Sequence, residues 1–580
     1  MGDEVYSVHP VFSRWDSGWY GGHILNNNYW NEFFKRDPLG GSLVTCVELL
    51  IGDSIVLRVA NAVISTPSTI TGDVYAYLPV LTDTPRVKSS VTMMSPSSSA
   101  RSYTVKLPNE LVDASDIIKR GSLLAGYAEL SLNYDGGEDE NRLVLMRGEM
   151  DSGVTFYPAD GGMIEFSITD PKESADVSIP PYTITEERFD KNAVGAGAMG
   201  RRFPLVLNKW PNVPCSFTHE NAALIGYGYG MKPNAAEILV DGEPYDNLDM
   251  TYGFRIVRSS DHMGTPCQFV QFKFWEDLTE DRTESVYISV TDGEGGTNPV
   301  GQCEHLCRGY SVLGIAGINL HHFGRASAKA GGLTSQVCIN AGGDGNVSTL
   351  AFIEGELLSN FPMIGMVWDR GSYGPVYIDR MLESSVRLTA DQYPVLDRVS
   401  AVTESPKTEV FNSFTLKYNY TPYLDSFEGV VERNSVNSGL CNISVQQCGS
   451  RPMDALECVY VYDRATASRI IDWYVNHLSL PHYEVQYSCS PEIMVLLNLG
   501  DNILLTDQEF EWDDVKSTVV GIEYKESHCI LSLIVWRPFY KMDGGSWVSP
   551  ASSAFLFHGL AGDWPLLYDP DSGEPREAGG

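Results

Sequence analysis

Residues 463–489 read DRATASRIIDWYVNHLSLPHYEVQYSC, and residues 499–536 read LGDNILLTDQEFEWDDVKSTVVGIEYKESHCILSLIVW. Asp463 is placed to cap a helix whose apolar residues Ala467, Ile470, Ile471, Tyr474 and Leu478 fall at helical spacing. Pro481 ends it, and a strand follows with Tyr483, Val485, Tyr487 and Cys489 on one face and Glu484, Gln486 and Ser488 on the other. The turn Leu499-Gly500-Asp501 feeds the short apolar run Asn502 to Thr506, and an acidic loop (Asp507 to Asp514) comes next. Two longer strands, Ser517 to Tyr524 and His528 to Trp536, then meet across Lys525-Glu526-Ser527. A helix, a strand, a Gly-Asp turn and a closing hairpin predict a small β-barrel with a helix packed on it.

This order resembles the last barrel of the central baseplate hub, or tail-tip hub, of tailed bacteriophages. There a helix leads into a strand, a leucine–Gly–Asp–x–hydrophobic turn, and a hairpin that ends in alternating apolar residues. Leu499-Gly500-Asp501-Asn502-Ile503 and the segment Ser517 to Trp536 match that pattern.

The remaining chain extends the resemblance. At 580 residues it has room for three to five domains, each with its own core. Residues 1–42 form an irregular, aromatic-rich arm (Trp15, Trp19, Tyr20, Tyr29, Trp30, Phe33, Phe34), which either covers its own core or docks on a neighbour. Residues 43–180 read as a first β-barrel. Its closing pair, Leu143 to Glu149 and Gly161 to Ile168, repeats the pattern of Ser517 to Trp536: a strand carrying a glycine, a turn, then alternating apolar residues. Residues 181–297 read as a β-rich insert with a hairpin turn at Val240-Asp241-Gly242-Glu243.

Residues 298–380 read as an α+β unit. Asn298-Pro299 starts a helix with buried face Val300, Cys303, Leu306, Cys307 and Tyr310, and His321 to Ala330 makes a second. Asn346 caps a third through Leu358, followed by strands Met363 to Trp368 and Val376 to Asp379. Residues 381–545 hold the second barrel, including the alternating run Phe414, Leu416, Tyr418, Tyr420, and residues 546–580 form an extended tail. The predicted fold is therefore mainly β with a small α+β part. Two similar, tail-tube-like barrels stand at either end, with the insert and the α+β unit between them.

Charge weighs against one class of function. Seventy-five acids against 41 bases give −34, which disfavours binding duplex DNA by neutralising its backbone and would suit a wall past which DNA slides without sticking, or simply an acidic soluble surface. The start, Met1-Gly2-Asp3-Glu4, predicts no secretory leader, Tyr6 breaks the myristoylation pattern, and no apolar run predicts a membrane span. Eleven scattered cysteines predict reduced, mostly buried thiols.

Four motifs suggest chemistry, and each has a plainer reading. Gly195 to Gly200 spells GAGAMG, but polar residues precede it and Pro204 follows, so the strand and helix of a dinucleotide site are missing. Cys303 and Cys307 with His305 lack a fourth ligand close by and read as core cysteines. His321 and His322 point about 100° apart on a helix and read as surface residues. The acid runs Glu138-Asp139-Glu140 and Asp513-Asp514 read as solvated turns.

No residue is assigned a catalytic, cofactor-binding or metal role, no cofactor is expected, and the chain is read as a non-enzyme. The resemblance implies a homotrimeric virion protein, made in the host bacterial cytoplasm and placed in the tail baseplate or tip. It would join the hexameric tail tube, with its distal tail and tape-measure proteins, to tip, fibre or receptor-binding proteins, and DNA would pass through unbound. The alternative is an all-β glycan-degrading enzyme of a virion or cell surface, although the short repeats of a parallel β-helix are not visible.

Overall fold

The computed structural model describes residues 27–548 apart from 38, 52–53, 82–85, 96, 98, 109–125, 151–154, 158–161, 181, 191, 193, 196–197, 220, 228–230, 242, 245–253, 273–285, 314–316, 340–346, 423, 526, 538–540 and 544–545. Most of the expected aromatic arm (Trp15, Trp19, Tyr20) and of the tail from 549 onward lies outside the described residues. Strand accounts for 46% of the chain and helix for 20%, so the fold is β-rich.

Residues 27–36, read as irregular, form helix α1 (Asn27–Arg36). Its Trp30, Phe33 and Phe34 are buried, so this part of the aromatic segment covers its own core. The first part of the chain forms β1 (Val44–Ile51), β2 (Ser54–Ala60), β3 (Ile64–Pro67), β4 (Val74–Pro79), β5 (Arg86–Ser90), β6 (Ser102–Pro108), β7 (Gly126–Asn133), β8 (Leu143–Met150), β9 (Thr155–Phe156) and β10 (Met163–Thr169), all but β5 in the first sheet. Its order is β3-β4-β2-β1-β7-β8-β10-β6, with β9 on β10, while β5 leaves for the second sheet. The expected insert is a seven-stranded sheet between Trp210–His219 and Val286–Asp292, and Val240 pairs with Glu243 as the hairpin motif predicts.

In the middle, α2 (Pro299–Tyr310) starts where Asn298 accepts a hydrogen bond from Val300 N at 2.8 Å, and α3 (Leu320–Lys329) follows. Asn346 lies outside the described residues; the third helical segment begins at Thr349 and widens into π turns over Phe352–Leu357. The strands after it are Ile364–Asp369 and Ser372–Tyr377, the second one several residues earlier than expected.

The second sheet uses β11 (Ser384–Thr389), β12 (Val395–Arg398), β13 (Thr403–Glu404), β14 (Tyr483–Cys489), β15 (Asn502–Asp507), β16 (Trp512–Lys525) and β17 (His528–Val535). Its order is β11-β15-β16-β17-β14-β12, with β13 also on β14. The predicted alternation holds on β14, where Val485, Tyr487 and Cys489 are buried.

Two expectations need correcting. The alternating strand Phe414–Thr421 is not part of this sheet but pairs with Ser426–Arg433 in a separate three-stranded one. Helix α4 (Arg464–Leu478), capped by Asp463 as expected, packs chiefly on that small sheet. Its Ala467, Ile470, Ile471 and Tyr474 join Phe414 and Leu416 in one apolar cluster with the insert and the α+β unit. Its other side meets the middle unit and the end of β17: Trp473 donates to Ile378 O at 2.7 Å, and His477 stacks on Trp473 and meets Trp536 edge-on. The two large curled sheets pack against each other. Val47, Leu130 and Phe166 of the first share a single core with Tyr487, Val519 and Leu531 of the second.

Candidate functional site

The feature that organises the molecule is the seam between the two large sheets. β16 is 14 residues long, and its N-terminal half pairs with β15 while its C-terminal half pairs with β5 from the first sheet. Val87 faces Tyr524, Ser89 faces Ile522 and Ser90 faces Gly521, and the ladder continues as Val91 N donates to Val520 O at 2.9 Å. Arg86 adds an ion pair to Glu523. The first half of the chain thus lends a strand to the second, which satisfies backbone groups on both sides.

Beside the seam lies a groove of about 840 Å³. Met93 and Met94, then Ser400, Ala401, Thr403 and Phe411, and then Gln486, Ser532 and Ile534 are among the residues that line it. Its polar groups are engaged with one another: Gln486 donates its backbone N–H to Ser400 Oγ at 2.8 Å and its side-chain amide to Ser532 Oγ at 3.2 Å. His482, buried in the lining, is pushed down to about 4 by desolvation. The lining of the groove mixes polar and apolar side chains.

A second joint uses the Leu499-Gly500-Asp501 turn. Gly500 has φ +76°, and a Cβ there would sit 2.6 Å from Val376 Cγ1 and 2.7 Å from Tyr377 O, so both conformation and space demand glycine. Asp501 accepts from Asn498 N at 3.0 Å and pairs with Arg325 and Lys329 of α3. The turn that carries the resemblance therefore pins the second sheet to the middle unit.

The first sheet holds a buried ionic row that the sequence reading missed. Glu48 on β1 faces Arg58 on β2 and Glu129 on β7, and Glu129 faces Arg147 on β8. Arg142 bonds Glu129 and Asp139, and Tyr77 Oη donates to Glu48 at 2.7 Å. Three carboxylates meet three guanidiniums with both Glu side chains fully buried, and burial raises the Glu48 carboxyl above its ordinary range. The signal was present as single acids inside apolar strands, Val47-Glu48-Leu49 and Ala128-Glu129-Leu130.

The remaining motifs are scattered. The GAGAMG stretch, of which residues 196–197 are outside the described set, is a turn in which Ala198 N bonds Gly195 O; no helix follows it. Cys303 and Cys307 are buried on α2, where desolvation raises both thiols, and His305 turns away to Glu294 at 3.2 Å. His322 is not a surface residue: it is buried 3.5 Å from Asp369, and desolvation pushes it down to about 4. The Glu138–Glu140 run is not a solvated turn, since Asp139 is buried on Arg142 and Thr66 and Glu140 accepts from Thr69 N at 3.1 Å. Among the described residues no three His, Cys, Asp or Glu side chains group closely enough to hold a metal ion, and no helix is long and apolar enough to cross a membrane.

No protein-family model matches the sequence, and neither does any curated protein. Solved structures do. The tail protein from Neisseria meningitidis MC58 aligns over 84% of this chain and 96% of its own, at 9% identity and TM-score 0.37. The 43 kDa tail protein of prophage MuSo2 from Shewanella oneidensis aligns over 85% and 98%, at 10% identity and TM-score 0.28. A chain from the virion of a native gene transfer agent particle aligns over 62% and 90%, at 11% identity and TM-score 0.37. The structures it is similar to are two tail proteins and a virion component.

Proposed function

We propose that this chain is the central hub of a phage tail baseplate or tip, a structural virion protein without catalytic activity. The observation that carries the reading is the seam: one chain contains two large curled sheets, fused through β5 and a shared core. Such a pair suits a threefold ring that presents six near-equivalent positions to a sixfold tube, the arrangement the sequence resemblance implies. Three chains of −34 sum to a formal −102, which favours a bore that repels DNA phosphate and does not hold it. In this reading the tube and tape-measure proteins lie above, and tip, fibre or receptor-binding proteins below. The two large sheets supply the ring wall, while the insert lies outside or below it.

Electron microscopy of the purified chain tests this. The expected result is a threefold ring whose inner surface carries more Asp and Glu than Lys and Arg. A ring with the two sheets far from its axis, or a bore lined mainly by Lys and Arg, overturns it. Incubation with peptidoglycan and capsular polysaccharide should leave both intact, and hydrolysis abolished by one Asp or Glu substitution would establish an enzyme instead.

A further inference from the structure

Trp536, which follows β17, is flanked by one cationic side chain and two titratable ones. The Arg380 guanidinium lies 5.0 Å over its ring, His477 meets it edge-on at 5.1 Å, and His482 lies 5.5 Å away. All four residues are buried, and the indole N–H donates to Thr518 Oγ1 at 2.7 Å. The cluster joins three parts of the chain: Arg380 ends the middle unit, His477 lies in the last turn of α4, and Trp536 belongs to the second sheet.

His477 has no place for a second proton. Its Nδ1 lies 2.7 Å from Trp473 O, which can only accept, so Nδ1 carries the hydrogen. Its Nε2 accepts from the Arg380 backbone N–H at 3.0 Å, so Nε2 carries none. These two partners fix one neutral tautomer, and the ring is stacked on Trp473 with centroids 4.2 Å apart. A proton on Nε2 would set two donors against each other and leave the buried Arg380 N–H without its acceptor. It would also add a positive charge beside a guanidinium that donates to the carbonyls of Asn476 at 3.1 Å and Arg537 at 2.7 Å.

The other charged groups around the cluster give a second positive charge little help. Asp379 Oδ1 is 3.9 Å from His477 Nε2, beyond hydrogen-bond reach, and accepts from Met381 N at 2.9 Å. Burial raises the Asp379 carboxyl, so it surrenders its charge early as pH falls. Arg537 is paired with Glu404, and Lys516 on β16 adds another cation that is coupled to Arg380. Burial holds both imidazoles below their ordinary value, His482 at about 4. Acid therefore gathers positive charge around one indole in a dry site.

We propose that this cluster is an acid-operated joint: neutral imidazoles hold the end of α4 against Trp536 and the second sheet, and their protonation releases it. The device goes beyond the hub reading and does not depend on it. Because the closed values are depressed, the joint is fully held above about 6.5 and weakens as pH falls toward about 4.

Hydrogen–deuterium exchange of the full chain, corrected for the intrinsic pH dependence of amide exchange, tests this. On acidification the Arg380 amide and the amides of residues 474–482 should lose protection, while the β5–β16 ladder keeps its own. His482 alone should raise the released population about 20-fold between about pH 7 and about pH 5. His477→Gln with His482→Gln keeps acceptors that do not titrate in this range and should hold protection level across it. Should that variant not fold, exchange of the imidazole C2 hydrogen in the wild type decides: both rings should titrate at the pH where the joint opens. Protonation of both rings with the end of α4 still protected overturns the proposal. An unchanged opening in the double variant overturns it too, as does equal loss of protection in the β5–β16 ladder, which is unfolding of the whole molecule.

Discussion

Arg142 shows what one side chain contributes here. It sits between Glu129 and Asp139 with Glu48 3.6 Å away, and all of them are buried. Removing it leaves three carboxylates facing two guanidiniums in a dry site, so Arg142→Met should cost about 3–5 kcal/mol in urea unfolding. His322 predicts a pH dependence. Burial holds its folded value at about 4, against about 6.5 in the unfolded chain. The unfolded chain therefore binds the proton first as pH falls. Stability is full above about 6.5, declines between there and about 4, and loses about 2 kcal/mol from this residue by pH 5. His322→Gln should flatten the decline in melting temperature over that window, and an unchanged slope would show that His322 does not cause it. Sequence alone misplaced His322, because a helical His next to another His carries no signal that Asp369, 47 positions away, lies against it.

At the scale of elements, periodicity served well wherever strands and helices bury one face against near neighbours. The cap at Asp463, the alternation of β14, the hairpin β16–β17 and the Asn298 start of α2 all follow from local pattern. It failed where pairing is long-range. The parallel match of Val386 with Ile503, and of Leu388 with Leu505, spans more than a hundred residues, and the transfer of β5 to β16 spans over four hundred. The run Phe414 to Tyr420 alternates as a barrel strand would, yet its buried face fits α4. Periodicity identifies a buried face but not what covers it. The seam gives this scale its prediction. Because the two large sheets share one core, wild type should unfold them in a single calorimetric transition. Ser89→Pro, in the middle of β5, breaks the ladder and should split that transition in two. A single unshifted transition in the variant would show that β5 contributes nothing to the coupling.

For the whole molecule the dominant quantity is charge. Copies at −34 each repel one another at long range, and added salt screens that repulsion while leaving apolar contact intact. Raising ionic strength from about 0.05 M to about 0.5 M, where the Debye length shortens several-fold, should therefore shift the chain toward larger assemblies in sedimentation. Dissociation by salt would mean that ion pairs hold the copies together. The candidate site was only half legible at this scale. The Gly-Asp turn was visible in the sequence and the glycine requirement at 500 is confirmed by its surroundings, whereas the groove exists only because residues 88–94 and 400–411 are brought together by the fold.

The β5–β16 ladder also bears on how the ring in the proposed reading would respond to dilution. A contact between separate chains is lost as concentration falls, but this one is tethered within a single polypeptide and acts at a fixed effective concentration. A six-position wall built from three such chains has three joints that concentration cannot open and three that it can. Assembly then depends on the third power of concentration, where six separate units would depend on the sixth, and partial rings one sheet short cannot form.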